Sequence, residues 1–347
     1  MNFALNPLLP LPRLKELLDA VRQLRVAVVG DFTLDGYWFA DMTRAELSRE
    51  TPLFPRPVIR ERYSCGGAAN VAWNLAALRP AEVRAFTILG ADWRGELLLQ
   101  ALRDAGVDPR DVLTVPGWST PFFGKVMLTS GGIQQEDSRI DFINTAPLSL
   151  ESEQALFARV EAALPDLDAL IVADYQALGV ITPGVLSGIN QLAGSAGKTI
   201  FAVDSRNRIG QFAGMIRKPN AIEASRWLFP DRSPDSVGLE DFAEAALYPQ
   251  VDCGCPLFIT MGERGCLVLS GGESHLVPAV QVPPPLDPVG AGDTFLAGLT
   301  SALAAGADPL EAARFAHLAA AVTVGMLGIT GAASPEEILE IAAKVDA

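Results

Sequence analysis

Residues 287–298 read DPVGAGDTFLAG: two aspartates set around two glycines and an alanine, running straight into an apolar stretch. A plain turn needs one glycine or two. Placed at the start of a helix, the amides of Gly290, Ala291 and Gly292 lack intrahelical partners and point outward beside the positive end of the helix dipole. Such a site suits a phosphoryl group that spreads negative charge over its oxygens in the transition state. Asp293 then sits at the rim, where its carboxylate can take a proton from an attacking hydroxyl, a role worth about 10²–10⁴ in rate. The same letters also describe a glycine-rich cap in which both aspartates only satisfy amides, so the rest of the chain must decide.

Working outward, strand-like and helix-like stretches alternate. RVAVVGD (25–31) is a short β-branched run ending in glycine and aspartate, the form of a buried strand reaching a ligand-facing loop. GGAANVAWNLAAL (66–78) follows as a helix whose small residues permit close packing. EVRAFTIL (82–89) and RGELLLQALRDAG (94–106) make the next strand and helix. The rhythm then changes: TPFFGKVMLTSGGIQQEDSRIDFI (120–143) reads as a hairpin around Gly131-Gly132. DALIVADY (168–175), TPGVLSGINQLAG (182–194) and TIFAVDS (199–205) restore the alternation, and 256–279 supplies a strand and a further hairpin. Three helices close the chain. One runs from Gly290 to Gly306, one from the Asp308-Pro309 cap to Gly328, and one starts at Ser334-Pro335.

Repeated strand–helix units imply a mostly parallel sheet covered on both faces, an α/β fold in three layers. Two stretches fall outside the alternation, PLFPRPVIRERY (52–63) and the 120–143 hairpin. They predict a small β lid built from about 38–63 and 119–143 on one domain spanning 24–347, preceded by an arm and short helix over 1–23.

Composition limits the partners. With 347 residues, 49% of them apolar, a substantial core is expected. The 27 basic and 41 acidic residues give a formal charge of −14, which argues against nucleic acid or an anionic membrane as the main partner. A small anionic ligand remains compatible, since a few amides and one or two cations make a local anion site. Cys65, Cys253, Cys255 and Cys266 suggest no disulfide framework, and Cys253 and Cys255 are too close for ordinary zinc-ligand spacing. The first twenty residues hold three prolines and no basic leader, and no run of eighteen uncharged apolar residues occurs. A reducing cytoplasm is the expected compartment.

The stretch SCGGAANVAWNLAAL gives the glycine-rich cap its company. Adjacent glycines, Gly66 and Gly67, let backbone approach a ligand without a Cβ in the way. Asn70 offers an amide that can both donate to and accept from sugar hydroxyls. In GDFTLDGY (30–37), Asp31 and Asp35 read as strand-end carboxylates suited to gripping a polyol, or as loop and cap residues.

GGAANVAWNLAAL and DPVGAGDTFLAGLT resemble the two signature segments of the ribokinase-like carbohydrate kinases, the PfkB family, and the resemblance spans roughly residues 24–342. It implies a mainly parallel sheet between helices, with a small β lid over a sugar site. Asp293 falls on the catalytic base, and Gly290, Ala291 and Gly292 on the anion hole. Asp35, Gly66, Gly67 and Asn70 fall on sugar-binding positions. KPNAIEA (218–224) resembles the segment that organises Mg²⁺ and phosphates through Asn220 and Glu223. TMGERGCLVL (260–269) resembles the nucleotide loop, with Thr260, Gly262 and Gly265, and Asp287 is placed on the same nucleotide side. His317 stands in a helix expected to wall the adenine, where it reads equally as a packed histidine.

Within the family, VVGDFTLDGYWFADMTR and QQEDSRIDF look like the heptose-7-phosphate kinases. Lys125 and Arg139 on the lid hairpin would pair with a phosphate already on the sugar, Arg139 the better suited because a guanidinium clasps phosphate with two hydrogen bonds. Departures from that subgroup follow Asp174-Tyr175, where QALG replaces a lysine and glycine, and at Asp204-Ser205-Arg206, where the subgroup has aspartate-proline-lysine. The expectation is an ATP- and Mg²⁺-dependent kinase acting on a sugar or sugar phosphate, a homodimer through its lids. The alternatives are a nucleoside or small-polyol kinase of the same family and a non-catalytic nucleotide- or sugar-binding regulator. A dinucleotide dehydrogenase is disfavoured, since RVAVVGDFTLDG lacks GxGxxG.

Overall fold

The computed structural model describes residues 9–345 apart from 131, 196, 249–253 and 329. Most of the N-terminal arm, Gly131 of the expected hairpin turn and Cys253 therefore lie outside the described residues. The chain runs α1 (Leu11–Val21), β1 (Arg25–Gly30), β2 (Phe32–Asp41), β3 (Val58–Gly67), α2 (Ala68–Ala77), β4 (Glu82–Phe86), β5 (Ile88–Gly90) and α3 (Trp93–Asp104). It continues through β6 (Leu113–Val115), β7 (Phe122–Ser130), β8 (Ile133–Phe142), α4 (Leu150–Ala163), β9 (Ala169–Asp174), α5 (Pro183–Ser195), β10 (Ile200–Ser205) and β11 (Ile216–Arg217). It ends with α6 (Ala221–Leu228), α7 (Leu239–Glu244), β12 (Leu257–Thr260), β13 (Cys266–Ser270), β14 (Glu273–Val277), α8 (Ala291–Ala304), α9 (Pro309–Val324) and α10 (Pro335–Val345).

The main sheet has the order β14-β13-β12-β11-β10-β9-β1-β4. It is parallel from β4 to β12 and antiparallel only at the β12–β13–β14 end. β1 shows why the layers form. Val26 and Val28 enter the core cluster that includes α2, α8 and α9, whereas Ala27 and Val29 enter the cluster beneath α4 and α5. Side chains alternate across a strand, so a strand apolar at every position needs cover on both faces.

The lid is a four-stranded sheet, β3-β2-β7-β8, with β2 and β7 parallel and the outer pairs antiparallel. One face is apolar: Phe122 packs against Trp38, Tyr63, Trp93 and Phe142 at centroid distances of 5.4–6.3 Å. The other presents Asp35, Lys125 and Arg139 to a cavity. Three expectations need correcting here. The lid begins at Phe32, earlier than residue 38, because the chain passes from β1 through Asp31 directly into β2. Asp35 is accordingly inside a lid strand and not at a strand end. The helix after Asp308 stops at Val324, and Gly328 instead takes a left-handed turn at φ +66°.

Candidate active site

The junction between sheet and lid is held by Asp31. Its carboxylate accepts the amides of Tyr175, Gln176 and Val180, each at 2.8 Å, and its backbone oxygen accepts the amide of Ala68 at 3.1 Å. Three amides on one buried carboxylate fold the loop after β9 around it, and Gly179 is small because a Cβ there would lie 2.0 Å from Asp31 Oδ1. The QALG that follows Tyr175 is thereby explained as a tight wrap around Asp31. Gly67, at φ +53°, brings β3 to the start of α2 where a Cβ would lie 2.7 Å from the Asp31 oxygen.

A cavity of about 370 Å³ opens above this junction, between the lid and the starts of α2, α6 and α8. It brings together ten of the expected residues: Asp35, Gly66, Gly67, Asn70, Lys125 and Arg139 on the acceptor side, with Asn220, Glu223, Gly290 and Asp293 opposite. Thus the start of α8 faces the same space as Asp35. Asn70 Nδ2 donates to Asp293 Oδ2 at 2.7 Å, and the Tyr175 hydroxyl lies 3.2 Å from Asp293 Oδ1. Asn74 donates to the Asn70 backbone oxygen at 2.9 Å and accepts from Thr294 at 2.7 Å. The two glycine-rich segments are therefore stitched together twice, by residues one helical turn apart on α2 and adjacent on α8.

Gly290 caps α8 in a left-handed conformation at φ +83°, with Thr330 and Asn70 too close to admit a Cβ. The expected anion hole needs one correction. The Ala291 amide donates to the Pro288 carbonyl at 3.1 Å and is occupied, and neither Ala291 nor Gly292 contributes to the cavity wall. Among the described residues, the amides of Gly290, Gly292 and Asp293 have no hydrogen-bond partner. Lys218 supplies a cation beside them: its Nζ lies 3.9 Å from where a Gly292 Cβ would stand and 3.0 Å from Asp204 Oδ2.

Burial dominates the titration of the site. It pushes Asp293 up to about 6, opposed by the hydrogen bond from Asn70, and pushes Asp35 up to about 6, opposed by the nearby Lys125. Asp31 is likewise raised to about 6 by burial, against its three amide donors. Burial pulls the Lys218 ammonium down, but its pairing with Asp204 more than offsets this and leaves it above its ordinary value. The Tyr175 hydroxyl is held well above its ordinary range by burial and by the two neighbouring carboxylates.

The lid cations stand in one cross-strand row. Arg62, Tyr37, Lys125 and Arg139 are register partners across β3, β2, β7 and β8. Arg62 and Lys125 lie over the Tyr37 ring, at 4.2 and 5.2 Å from its centroid. The guanidinium of Arg139 is clasped by Asp141 through bonds of 2.8 and 2.7 Å. Among the described residues Lys125 has no carboxylate within ion-pair distance, whereas Arg139 is paired with Asp141, and both line the cavity. At the Ser205-Arg206 departure, Ser205 donates to Asp174 at 2.5 Å and Arg206 joins the cavity wall.

The other expected nucleotide residues fall outside the cavity wall. Thr260 pairs with Asn220 through a parallel bridge, and Gly262 and Gly265 bound the tight turn that follows it. Both Asp287 oxygens accept backbone amides, from Val289 and Gly328 at 3.0 Å each, so this carboxylate braces its own loop. His317 is buried with its ring 5.0 Å from that of Phe295, and burial holds it down at about 4, a neutral packing residue. Sequence reasoning missed Thr33, Gln176 and Thr330, which line the cavity and carry buried polar atoms without a partner. A threonine in β2 and a lone glutamine and threonine in two separate loops give no local signal.

A magnesium ion takes one or two carboxylates and keeps waters and phosphate oxygens. Glu223 and Asn220 cap each other at the start of α6, at 2.8 and 2.9 Å, while both line the cavity. Burial and then the Asp204 charge raise Glu223, a repulsion that a divalent cation relieves. Among the described residues no three His, Cys, Asp or Glu are grouped to hold a metal alone. The residues fit a water-rich ion shared with phosphates.

Sheet order, lid and the placement of Asp293 at a glycine-capped helix start define a ribokinase-like kinase of three-layer α/β/α architecture. An Arabidopsis thaliana ribokinase complexed with ribose and ATP matches at TM-score 0.68 with 20% identity, over 92% of this chain and 99% of that one. Escherichia coli phosphofructokinase-2 in complex with fructose-6-phosphate matches at TM-score 0.67 with 22% identity, over 94% and 100%. The chain belongs to the PfkB family of carbohydrate kinases: the family model for pfkB family carbohydrate kinases matches residues 42–336. It is 33% identical over 323 residues to the bifunctional protein HldE of Wolinella succinogenes, covering 91% of this chain and 64% of that protein. The HldE of a Bradyrhizobium species is also 33% identical, with 92% and 64% covered. The chain thus spans a little under two thirds of the length of these relatives.

Proposed function

We propose that this carbohydrate kinase transfers the γ-phosphoryl group of ATP to a hydroxyl of a sugar that already carries a phosphate, with heptose 7-phosphate as the favoured acceptor. One observation carries the reading: a single cavity holds the half-buried carboxylate of Asp293 beside unpaired helix-start amides, with Asp35 and Lys125 across from it. Asp293 takes the proton of the attacking hydroxyl, and Asn70 fixes the carboxylate for that task. The amides of Gly290 and Asp293, with Lys218 behind them, meet the charge on the transferring group. Asp35, Thr33, Gln176 and Thr330 grip sugar hydroxyls, and Lys125 in its row takes the phosphate. Glu223 and Asn220 would hold Mg²⁺, which neutralises phosphate charge when bound with ATP. The lid excludes water that would otherwise accept the phosphoryl group.

Ile133, Ile140 and Phe142 on the lid's outer strand β8 are 73, 47 and 38% exposed, which supports a homodimer joined through the lids. The thiols of Cys65 and Cys266 are buried and in no disulfide, in keeping with a cytoplasmic protein, and no described helix is long and apolar enough to cross a membrane. The deciding experiment follows ADP release with sugar phosphates, heptose 7-phosphate among them, for wild type and Asp293→Asn. We expect turnover on the phosphorylated acceptor and a loss of about 10²–10⁴ in kcat for the variant. ATP binding without turnover on any sugar, or a variant as fast as wild type, overturns the reading.

A further inference from the structure

The hydroxyl of Tyr175 lies 3.2 Å from Asp293 Oδ1 and 3.3 Å from Asp204 Oδ2. A phenol owns one proton and cannot donate to two carboxylates at once. While Asp293 is ionised, one of the two carboxylates therefore faces the bare oxygen of Tyr175. Once Asp293 Oδ1 carries a proton, both contacts become hydrogen bonds, from Asp293 to Tyr175 and from Tyr175 to Asp204. The chain has a defined end, because Asp204 is the anionic half of a 3.0 Å ion pair with Lys218. It also has a defined beginning: Asn70 Nδ2 donates to Oδ2 at 2.7 Å, leaving Oδ1 as the oxygen free to hold the proton. Tyr175 is fixed from behind by the hydrogen bond its backbone N–H donates to Asp31 Oδ2 at 2.8 Å.

We propose that Tyr175 is a positioning residue that stabilises the proton-bearing form of Asp293, handing the hydrogen-bond chain on to the Asp204–Lys218 pair. The inference rests on the reading of Asp293 as the base. During transfer the acceptor O–H bond breaks as its oxygen bonds to the γ-phosphorus and the bond from phosphorus to ADP breaks. The released proton resides on Asp293. Tyr175 keeps its own proton throughout and only turns its O–H toward Asp204. The other charged groups facing this cluster are Asp35 on β2, Lys125 on β7, Arg139 on β8, Arg206 after β10, and Glu223 on α6. None of these is hydrogen-bonded to Asp293 among the described residues, so Tyr175 is the group whose removal changes the balance between its two forms.

Tyr175→Phe tests this through the direction of a shift. Losing the hydroxyl takes two hydrogen bonds from the protonated form of Asp293 and one from the ionised form. The acid limb of the kcat–pH profile therefore moves to lower pH, by about one unit, while plateau kcat falls about tenfold with KM for ATP little changed. A hydroxyl that merely donated to the Asp293 carboxylate would move the limb upward on removal, and a structural role would leave it in place. Carbon-13 NMR of carboxyl-labelled aspartate, assigned with Asp293→Asn, reads the same downward shift without any acceptor sugar. An upward shift or none, by either measurement, overturns the inference. Full turnover by Asp293→Asn overturns instead the reading on which it rests.

Discussion

Asp293 is a half-buried carboxylate that the fold holds at a cost. An ordinary aspartate titrates near 3.9, and burial raises this one to about 6. With its folded pKa above its unfolded pKa, the native state binds the extra proton between those values. Stability from this group is thus fully present at low pH and is lost as pH rises through about 6. The elevation corresponds to at most about 3 kcal/mol at neutral pH. Asp293→Asn removes the charge while keeping an acceptor oxygen for Asn70 and placing an amide N–H donor toward the Tyr175 hydroxyl oxygen. It should raise the thermal midpoint at pH 8 by a few degrees, with the gain shrinking as pH falls below 6. Calorimetry across that range checks this, and an unchanged or lowered midpoint at pH 8 would contradict it. The same ionisation predicts that wild-type turnover declines on acidification through about 6. If Asp293 is the base proposed, stability and catalysis pull in opposite directions at this residue.

At the scale of elements, what the lid brings to the proposed site is its register. Residues 37, 62, 125 and 139 are scattered through the chain, yet pairing of four strands sets them in one row, whose Lys125 and Arg139 face the cavity. Lys125→Ala should raise KM for a phosphorylated acceptor about 10–100-fold, the worth of a charge-assisted hydrogen bond. The KM of the unphosphorylated sugar should move little. Equal losses for both sugars would remove Lys125 from phosphate binding. The comparison between sequence and structure turns on the same distinction. β1 and the glycine-rich starts of α2 and α8 were legible, because each is specified by contiguous residues: an apolar run, small residues, a positive-φ glycine. That Asp293, Asn70, Asp35 and Glu223 line one cavity agrees with what the family resemblance of their segments implied. Relations between strands were not legible. Arg139 looks like the better phosphate clasp until β8 places Asp141 against it at 2.7 Å. Ala291 looks free until Pro288 bends back to accept its amide. Thr33, Gln176 and Thr330 become a wall only when β2, the loop after β9 and the loop after α9 converge.

Across the whole molecule, one thread of hydrogen bonds joins the lid to the loop that precedes α8. Arg62, stacked on Tyr37 in the lid, donates to the Gly328 carbonyl at 2.7 Å. The Gly328 amide donates to Asp287 Oδ2 at 3.0 Å, and Asp287 Oδ1 accepts the amide of Val289, which lines the cavity beside Gly290. On the proposed reading, a lid that settles on an acceptor would press on the loop that leads into α8. Lid and loop share one brace through Arg62, and ligands on either side of it should favour the same closed arrangement. Such coupling between sites is typically about 1–3 kcal/mol, or 5–150-fold in affinity, and is reciprocal. Arg62→Ala should leave the separate affinities for acceptor and for a non-hydrolysable ATP analogue within about twofold, since Arg62 is outside the cavity wall. It should reduce about fivefold the factor by which each ligand tightens the other. Titration calorimetry of each ligand, alone and with the other at saturation, measures that factor directly. A variant with the wild-type factor would show that the brace holds the lid in place without carrying anything between the two halves of the site.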